Sequence, residues 1–340
     1  MSWKRVRGHD VLVGAFERAV RRGRLAHAYL FAGPPGVGKR LFASELAKTL
    51  LCEDPPAGRF DSCDRCPACV QVDAGTHPDY FQAGLPPDKH EWPIELMREL
   101  LRGFALKSAR GKGKVAVLDD ADDFNEESAN AFLKTLEEPP LRSVIILIGT
   151  SPERQLATIL SRCQVVRFAP LPEPIVIDLL RAQGVEDAAL VRRVARLSGG
   201  SPGQARALAD PALWEFRRNF LRQLSAPQID SVGLARAWNE FVEEAGKESA
   251  AQRQRATLVL RLVIDFLNDT LRVQLGEAPR LAEPDEVRTL ETLANRLDAD
   301  RTLATLERCL QGDTQIDRRV QLALILEALT DDLGERLRAP

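Results

Sequence analysis

The apolar run Ala28-Tyr29-Leu30-Phe31-Ala32 leads straight into the loop Gly33-Pro34-Pro35-Gly36-Val37-Gly38-Lys39, and a helical stretch, residues 41–51, follows. Strand, glycine loop and helix in that order leave few folds open. The strand must be covered on both faces, and the loop must turn tightly enough to start a helix. Glycines let backbone N–H groups turn inward around phosphates, and the helix N-terminus adds partial positive charge. A lysine closing the loop can reach the outer phosphates. Gly33, Gly36, Gly38 and Lys39 are therefore candidate nucleotide-binding residues. The next position should carry a hydroxyl to coordinate Mg²⁺, but it is Arg40. A guanidinium has no acceptor with which to hold a cation. Binding of ATP with Mg²⁺ is thus an open expectation. The same residues also suit a tight strand-to-helix turn that holds no ligand.

Two more apolar runs, Val115-Ala116-Val117-Leu118 and Val144-Ile145-Ile146-Leu147-Ile148, alternate with helical segments such as 128–136. This alternation predicts an α/β three-layer domain with a parallel sheet. The first of the two runs ends in Leu118-Asp119-Asp120-Ala121-Asp122-Asp123. A carboxylate at the end of a buried strand, here Asp119, can hold Mg²⁺ beside a glycine loop. Asp120 stands where a glutamate would orient an attacking water. Acidic residues after a strand are also common as solvated loop residues.

Cys52, Cys63, Cys66 and Cys69 are spaced C-x10-C-x2-C-x2-C. Two tight steps present thiolates to one ion, and the fourth sulfur closes a tetrahedral Zn²⁺ site with no open position. Such a metal would be structural. It would staple a segment whose Pro55, Pro56, Gly58 and Pro67 support little core of their own. Four reduced thiols in a loop is the competing reading. Cys163 and Cys309 read as ordinary buried thiols. The formal net charge of −2 excludes a globally basic nucleic-acid coat. A local basic patch is still allowed, and Lys107, Arg110, Lys112 and Lys114 form one. That loop could touch DNA phosphate or simply be solvated. Residues 1–10 lack the apolar stretch of a signal peptide, and no apolar run approaches the length of a membrane span. The expected compartment is cytoplasmic, where cysteines are thiols or metal ligands rather than disulfides.

A chain of 340 residues exceeds one ordinary core. Ala169-Pro170-Leu171-Pro172-Glu173-Pro174 is a proline-rich joint. Residues 175–209 read as three short helices, and everything after Pro211 reads as helical. Val259, Leu262, Val263 and Phe266 recur at the spacing of one buried helix face. Ile316, Val320, Ala323 and Leu324 are expected to do the same, and residues 276–284 to form a loop. The expected division is 1–168, 169–210 and 211–340.

Several segments in one order carry a resemblance: His27-Ala28-Tyr29-Leu30-Phe31, the glycine loop, the four cysteines, His77-Pro78-Asp79-Tyr80, Asn130-Ala131-Phe132-Leu133-Lys134-Thr135-Leu136-Glu137-Glu138-Pro139-Pro140, and Ser161-Arg162-Cys163. As a set they resemble the AAA+ clamp-loader subunits of bacterial DNA polymerase III. The resemblance implies a P-loop AAA+ domain carrying a zinc-binding insertion, a three-helix lid and an all-α collar used for oligomerisation. It further implies a hetero-pentamer with other clamp-loader subunits that opens a sliding clamp and places it on primed DNA in replication. Arg162 is similar to the family's arginine finger, which acts on ATP held by a neighbouring subunit. A motor subunit of the family would carry Ser or Thr after Lys39, Glu at Asp120 and a lid arginine at Gly203. Thr150 alone is left as a sensor of phosphate. That pattern describes a subunit that serves a neighbour's site and hydrolyses little ATP itself. Polymerase chemistry would belong to the wider complex. Two other functions stay open: an ATP-hydrolysing motor subunit, and a zinc-stapled DNA-binding module.

Overall fold

The structure is a computed structural model that describes residues 2–86, 89–246, 248–280, 286–317 and 320–338. The chain divides into two compact units, Met1–Arg206 and Ala207–Pro340.

In the first unit, strands β1 (Ala28–Ala32), β2 (Tyr80–Ala83), β3 (Lys114–Leu118), β4 (Ser143–Gly149) and β5 (Gln164–Arg167) form one sheet in the order β2-β3-β4-β1-β5. Every pairing is parallel. The three central strands are buried along their whole length, which is why their sequences run apolar without alternation. The short edge strands β2 and β5 are partly exposed and mixed in composition. No periodicity in the sequence marks them.

Side chains alternate between two cores across the sheet. Tyr29, Phe31, Val117 and Ile146 face one layer, which contains helices α1 (Asp10–Arg21), α2 (Lys39–Leu51) and α3 (Pro67–Asp73). Leu30, Ala116, Ile145 and Leu147 face the other, which contains α4 (Ile94–Ala105), α5 (Glu126–Glu137) and the single turn α6 (Ala157–Leu160). Helix α2 begins at the tip of the glycine loop and buries Phe42, Ala43, Leu46 and Ala47 completely. Each fully buried Leu or Phe contributes about 1.5–3 kcal/mol. Packing therefore fixes the axis of α2, and with it the direction in which the loop opens.

Three short helices follow the proline-rich joint: α7 (Glu173–Ala182), α8 (Ala188–Leu197) and α9 (Pro202–Leu208). Gly199 and Gly200 take left-handed backbone between the last two.

The regular elements among the second unit's described residues are all helices: α10 (Pro211–Leu224), α11 (Ser231–Glu243), α12 (Ser249–Gln274), α13 (Val287–Arg296), α14 (Ala299–Asp317) and α15 (Leu322–Leu337). Val259, Leu262, Val263 and Phe266 all lie buried on α12, as their spacing predicts. The second expected face is corrected. Ile316 is buried at the end of α14, but Val320 is 46% and Leu324 54% exposed. α14 ends at Asp317 and α15 begins at Leu322, so the spacing spans two separate helices, and on α15 Ile325, Leu326, Leu329 and Leu333 form the buried stripe instead. Of the expected loop at 276–284, positions 281–284 lie outside the described residues.

Candidate functional site

Gly36, Gly38, Lys39, Asp119, Asp120 and Thr150 line one cleft of about 350 Å³ at the C-terminal edge of the central strands. Gly33 stands at the start of the loop and points its carbonyl inward. The structure thus gathers the expected nucleotide-binding residues, and it also shows how their polar groups are engaged. Lys39 is buried, and its ammonium donates to the Gly33 carbonyl and to the Pro34 carbonyl at 2.8 Å. Burial lowers its pKa, against the opposing pull of Asp119 and Asp122. The lysine is therefore satisfied by the loop's own backbone.

Residues 201 and 203, at the start of α9, pack against the loop. Gly36 has φ +74, a left-handed conformation that favours glycine. Its carbonyl accepts from the Gly203 N–H at 3.0 Å, and the Ser201 hydroxyl donates to the Pro35 carbonyl at 2.8 Å. A Cβ at Gly203 would stand 2.9 Å from the Gly36 Cα. No arginine fits at Gly203 while the loop keeps this position.

The groups expected for metal and water are diverted as well. One nitrogen of the Arg40 guanidinium lies 3.7 Å from an Asp119 carboxylate oxygen. The hydrogen-bonding pattern turns the Gln82 amide oxygen toward Arg40, where it accepts from Nε and Nη2 at 2.6 Å. Asp120 has φ +54, fixed in part by the buried Trp92, whose Nε1 donates to the Asp120 carbonyl at 3.1 Å. Its carboxylate accepts from the Leu85 N–H at 3.3 Å. The Thr150 hydroxyl donates to Asp122 at 2.5 Å, and the Thr150 N–H does so at 2.7 Å. Asp122, which sequence reasoning passed over, is the carboxylate that organises this end of β4. It also accepts from Gln155 Nε2. A cation ligand set of a hydroxyl and a free strand-end carboxylate is not present among these residues, so they do not fit Mg²⁺-assisted hydrolysis.

At the other end of α2 the four cysteines converge. Their sulfurs lie within 4.8 Å of one another. Cys52–Cys66 and Cys63–Cys69 are separated by 3.9 Å, and Cys66–Cys69 by 3.5 Å. Four thiolates around one ion at about 2.3 Å would stand roughly 3.8 Å apart. Backbone N–H groups of Cys63, Cys66 and Cys69 point at sulfurs of Cys52, Cys63 and Cys66. Such donors stabilise thiolates. The cluster can bind a metal ion, and its four-sulfur donor set fits one. Beneath it Lys48, 2% exposed, pairs with Glu45 at 3.1 Å, Asp64 at 3.0 Å and Asp73 at 3.1 Å. Burial opposes the Lys48 charge, yet these carboxylates outweigh it and raise its pKa. Lys48 and Glu45 come from α2, while Asp64 and Asp73 come from the cysteine segment. The segment is therefore tied to the helix by charge as well as by its first cysteine.

The basic loop needs a correction. Arg110 pairs with Glu53 and donates to Gln71 at 2.6 Å. Lys112 donates to the Cys52 carbonyl, and Lys114 to the Gly103 carbonyl at 2.8 Å. Asp79 accepts from the Ser108 hydroxyl and from the Ala109 and Arg110 N–H groups at 2.8–3.0 Å. Burial raises the Asp79 pKa, but these donors prevail and lower it. Of the four residues offered as a DNA patch, Arg110 and Lys112 bond the cysteine segment and buried Lys114 bonds α4. Only Lys107 faces solvent without such a role in the described contacts.

Arg162 follows α6, with a third of its side chain exposed. Nε donates to Glu137 at 3.0 Å, and Nη2 pairs with the same oxygen. Nη1 donates to the Thr158 carbonyl at 2.9 Å and to the Ser161 hydroxyl at 3.2 Å. Cys163 beside it packs into the α5 core, and burial lifts its thiol to about 12. Cys309 is buried too and is also raised to about 12. Cys309 is the buried thiol expected, while Cys163 is only partly buried.

A glycine-loop helix on a five-stranded parallel sheet and a four-cysteine module define an α/β protein of the P-loop kind with a helical C-terminal unit. The model of the family described as "DNA polymerase III, delta subunit" matches residues 8–172, and its C-terminal counterpart matches residues 211–330. The chain belongs to the delta prime family of DNA polymerase III subunits. It is 35% identical to DNA polymerase III subunit delta prime of Pseudomonas aeruginosa, over 91% of this chain and 92% of that one. It is 32% identical to the Escherichia coli protein of the same name, over 86% of this chain and 84% of that one. A DNA polymerase III gamma subunit-related structure from Thermotoga maritima covers 96% of this chain and 99% of its own at 16% identity, with a TM-score of 0.48. No described helix is long and apolar enough to cross a membrane.

Proposed function

We propose that this chain is a delta prime-type arm of the clamp loader of DNA polymerase III, built into a complex with the other loader subunits. There it helps place the sliding clamp on primed DNA. In this reading it hydrolyses little or no ATP, and Arg162 is presented in trans to ATP held by a neighbouring subunit. Residues 1–168 are the nucleotide-binding-like domain, 169–210 the lid, and 211–340 the collar through which the subunits associate. The four cysteines hold structural Zn²⁺, and the complex works in the cytoplasm.

The observation that carries the reading is the closed glycine loop. Lys39 directs two of its three N–H groups at the Gly33 and Pro34 carbonyls, and Gly203 lies against Gly36. Turning the ammonium fully toward a phosphate would break its contacts with the loop. Even then Arg40 would stand where the cation needs a hydroxyl. Arg162 sits at a chain surface with a third of its side chain exposed and carries a planar, permanent charge suited to a transferring phosphoryl group.

The test uses the assembled loader. Arg162→Ala should assemble normally and slow DNA-stimulated turnover at the served site by about 10³-fold. Unchanged turnover in an assembled complex would remove the finger. The isolated chain, given ATP and Mg²⁺, should release no phosphate. Release abolished by Lys39→Ala would instead identify a motor subunit.

A further inference from the structure

We infer that Glu137 is the positioning residue for Arg162, an inference that rests on the finger reading above. Glu137 is the last residue of α5, where a carboxylate faces the negative end of the helix dipole and is disfavoured unless paired. It is half exposed, so no core packing explains its place. Its partner is Arg162, reached from 25 residues away in sequence, through Nε at 3.0 Å and through Nη2. On the opposite side of the guanidinium, Nη1 is held by the Thr158 carbonyl and the Ser161 hydroxyl.

Guanidinium is a rigid plane with five N–H groups. Glu137 takes the edge formed by Nε and Nη2, and the α6 turn takes Nη1. Together they fix both the plane and its rotation. These contacts engage four of the five N–H groups and leave one on Nη2. A long arginine on a surface turn would otherwise sample many rotamers, and ordering it at the moment of reaction would cost entropy. Glu137 removes most of that cost beforehand, so it should act on the rate and not on how tightly the neighbour holds ATP. It touches neither nucleotide nor reacting atoms. Its influence runs through Arg162.

The experiment compares Glu137→Ala, Glu137→Gln, Arg162→Ala and the double variant Glu137→Ala/Arg162→Ala in the reconstituted complex, with assembly checked by co-elution. Single-turnover phosphate release on primed DNA reads the served site. Glu137→Ala should lower kcat about 10-fold, with KM for ATP within about two-fold, because only a transition-state contact is loosened. Glu137→Gln, which keeps the volume and accepts one hydrogen bond, should recover part of the loss. The double variant should be no slower than Arg162→Ala alone. If Arg162→Ala is slow but Glu137→Ala is unchanged, faster or additive with it, the positioning role is overturned and the finger stands. If Arg162→Ala is itself silent, both fall.

Discussion

Helix α2 meets a different environment at each end. At its C-terminus Cys52 joins three more sulfurs, and every ligand expected from the spacing arrives. At its N-terminus the residues expected around phosphate are also gathered, but their polar groups are occupied by the chain itself. The cysteine end has kept its donors for an ion. At the glycine end the Lys39 ammonium and the Thr150 donors are spent on the chain, and the Gly36 carbonyl accepts from the Gly203 N–H. One helix therefore carries four cysteines able to bind a metal ion at one end and a glycine loop at the other, because the sheet packs both into the same core. The comparison teaches that assembling the right residues does not make a site. What matters is whether their hydrogen-bonding capacity is left unspent.

Cys66→Ser should break the cysteine end most severely. Metal content should fall from about one ion per chain to none, and the first unit should lose on the order of 3 kcal/mol or more. Metal analysis paired with thermal unfolding checks this, and an equally stable metal-free variant would remove the ion's structural role. Lys48→Met should cost about 3 kcal/mol, since it removes a buried ion partner from Glu45, itself 1% exposed. Denaturant unfolding measures it. A neutral result would mean that the cysteine segment is held by its sulfurs alone.

Asp79→Asn should cost about 2 kcal/mol at neutral pH, by weakening three bonds to a charged acceptor. The sign follows from its lowered pKa. The contribution is complete above the ordinary aspartate value near 3.9 and disappears as pH falls through the lower folded value. Unfolding of the variant should therefore depend less steeply on pH below about 4 than unfolding of the parent. The smallest effect is expected at the glycine end. Arg40→Thr restores a hydroxyl but should change stability by no more than about 0.5 kcal/mol and give no phosphate release, because Lys39, Gly203 and Asp120 stay as they are. Turnover in that variant would mean the two ends of α2 are far closer in competence than the geometry implies.

Much of this was legible beforehand. The three central strands, the glycine loop, the cysteine quartet and the buried face of α12 follow from short-range pattern. Continuous β-branched runs, C-x2-C steps and helical spacing each describe a local chain geometry. The stripe across 316–324 was misread, because its spacing bridged a break between two helices. A period cannot register where one helix ends and the next begins. The edge strands were missed because their exposure mixes their composition.

What the sequence determined by itself was the kind of parts: a phosphate-loop helix without a metal ligand, four sulfurs for one ion, and an arginine at the end of a turn. Only the tertiary structure decided how those parts are used. Asp122 reaches Thr150 across 28 residues, Gly203 reaches Gly36 from α9, the basic loop reaches Glu53 and the Cys52 carbonyl, and Glu137 reaches Arg162. Each is a non-local pairing of one donor with one acceptor. Residue type limits which pairs can form, but distance and direction choose among them. Those exist only once the sheet and its two cores have set the backbone in place.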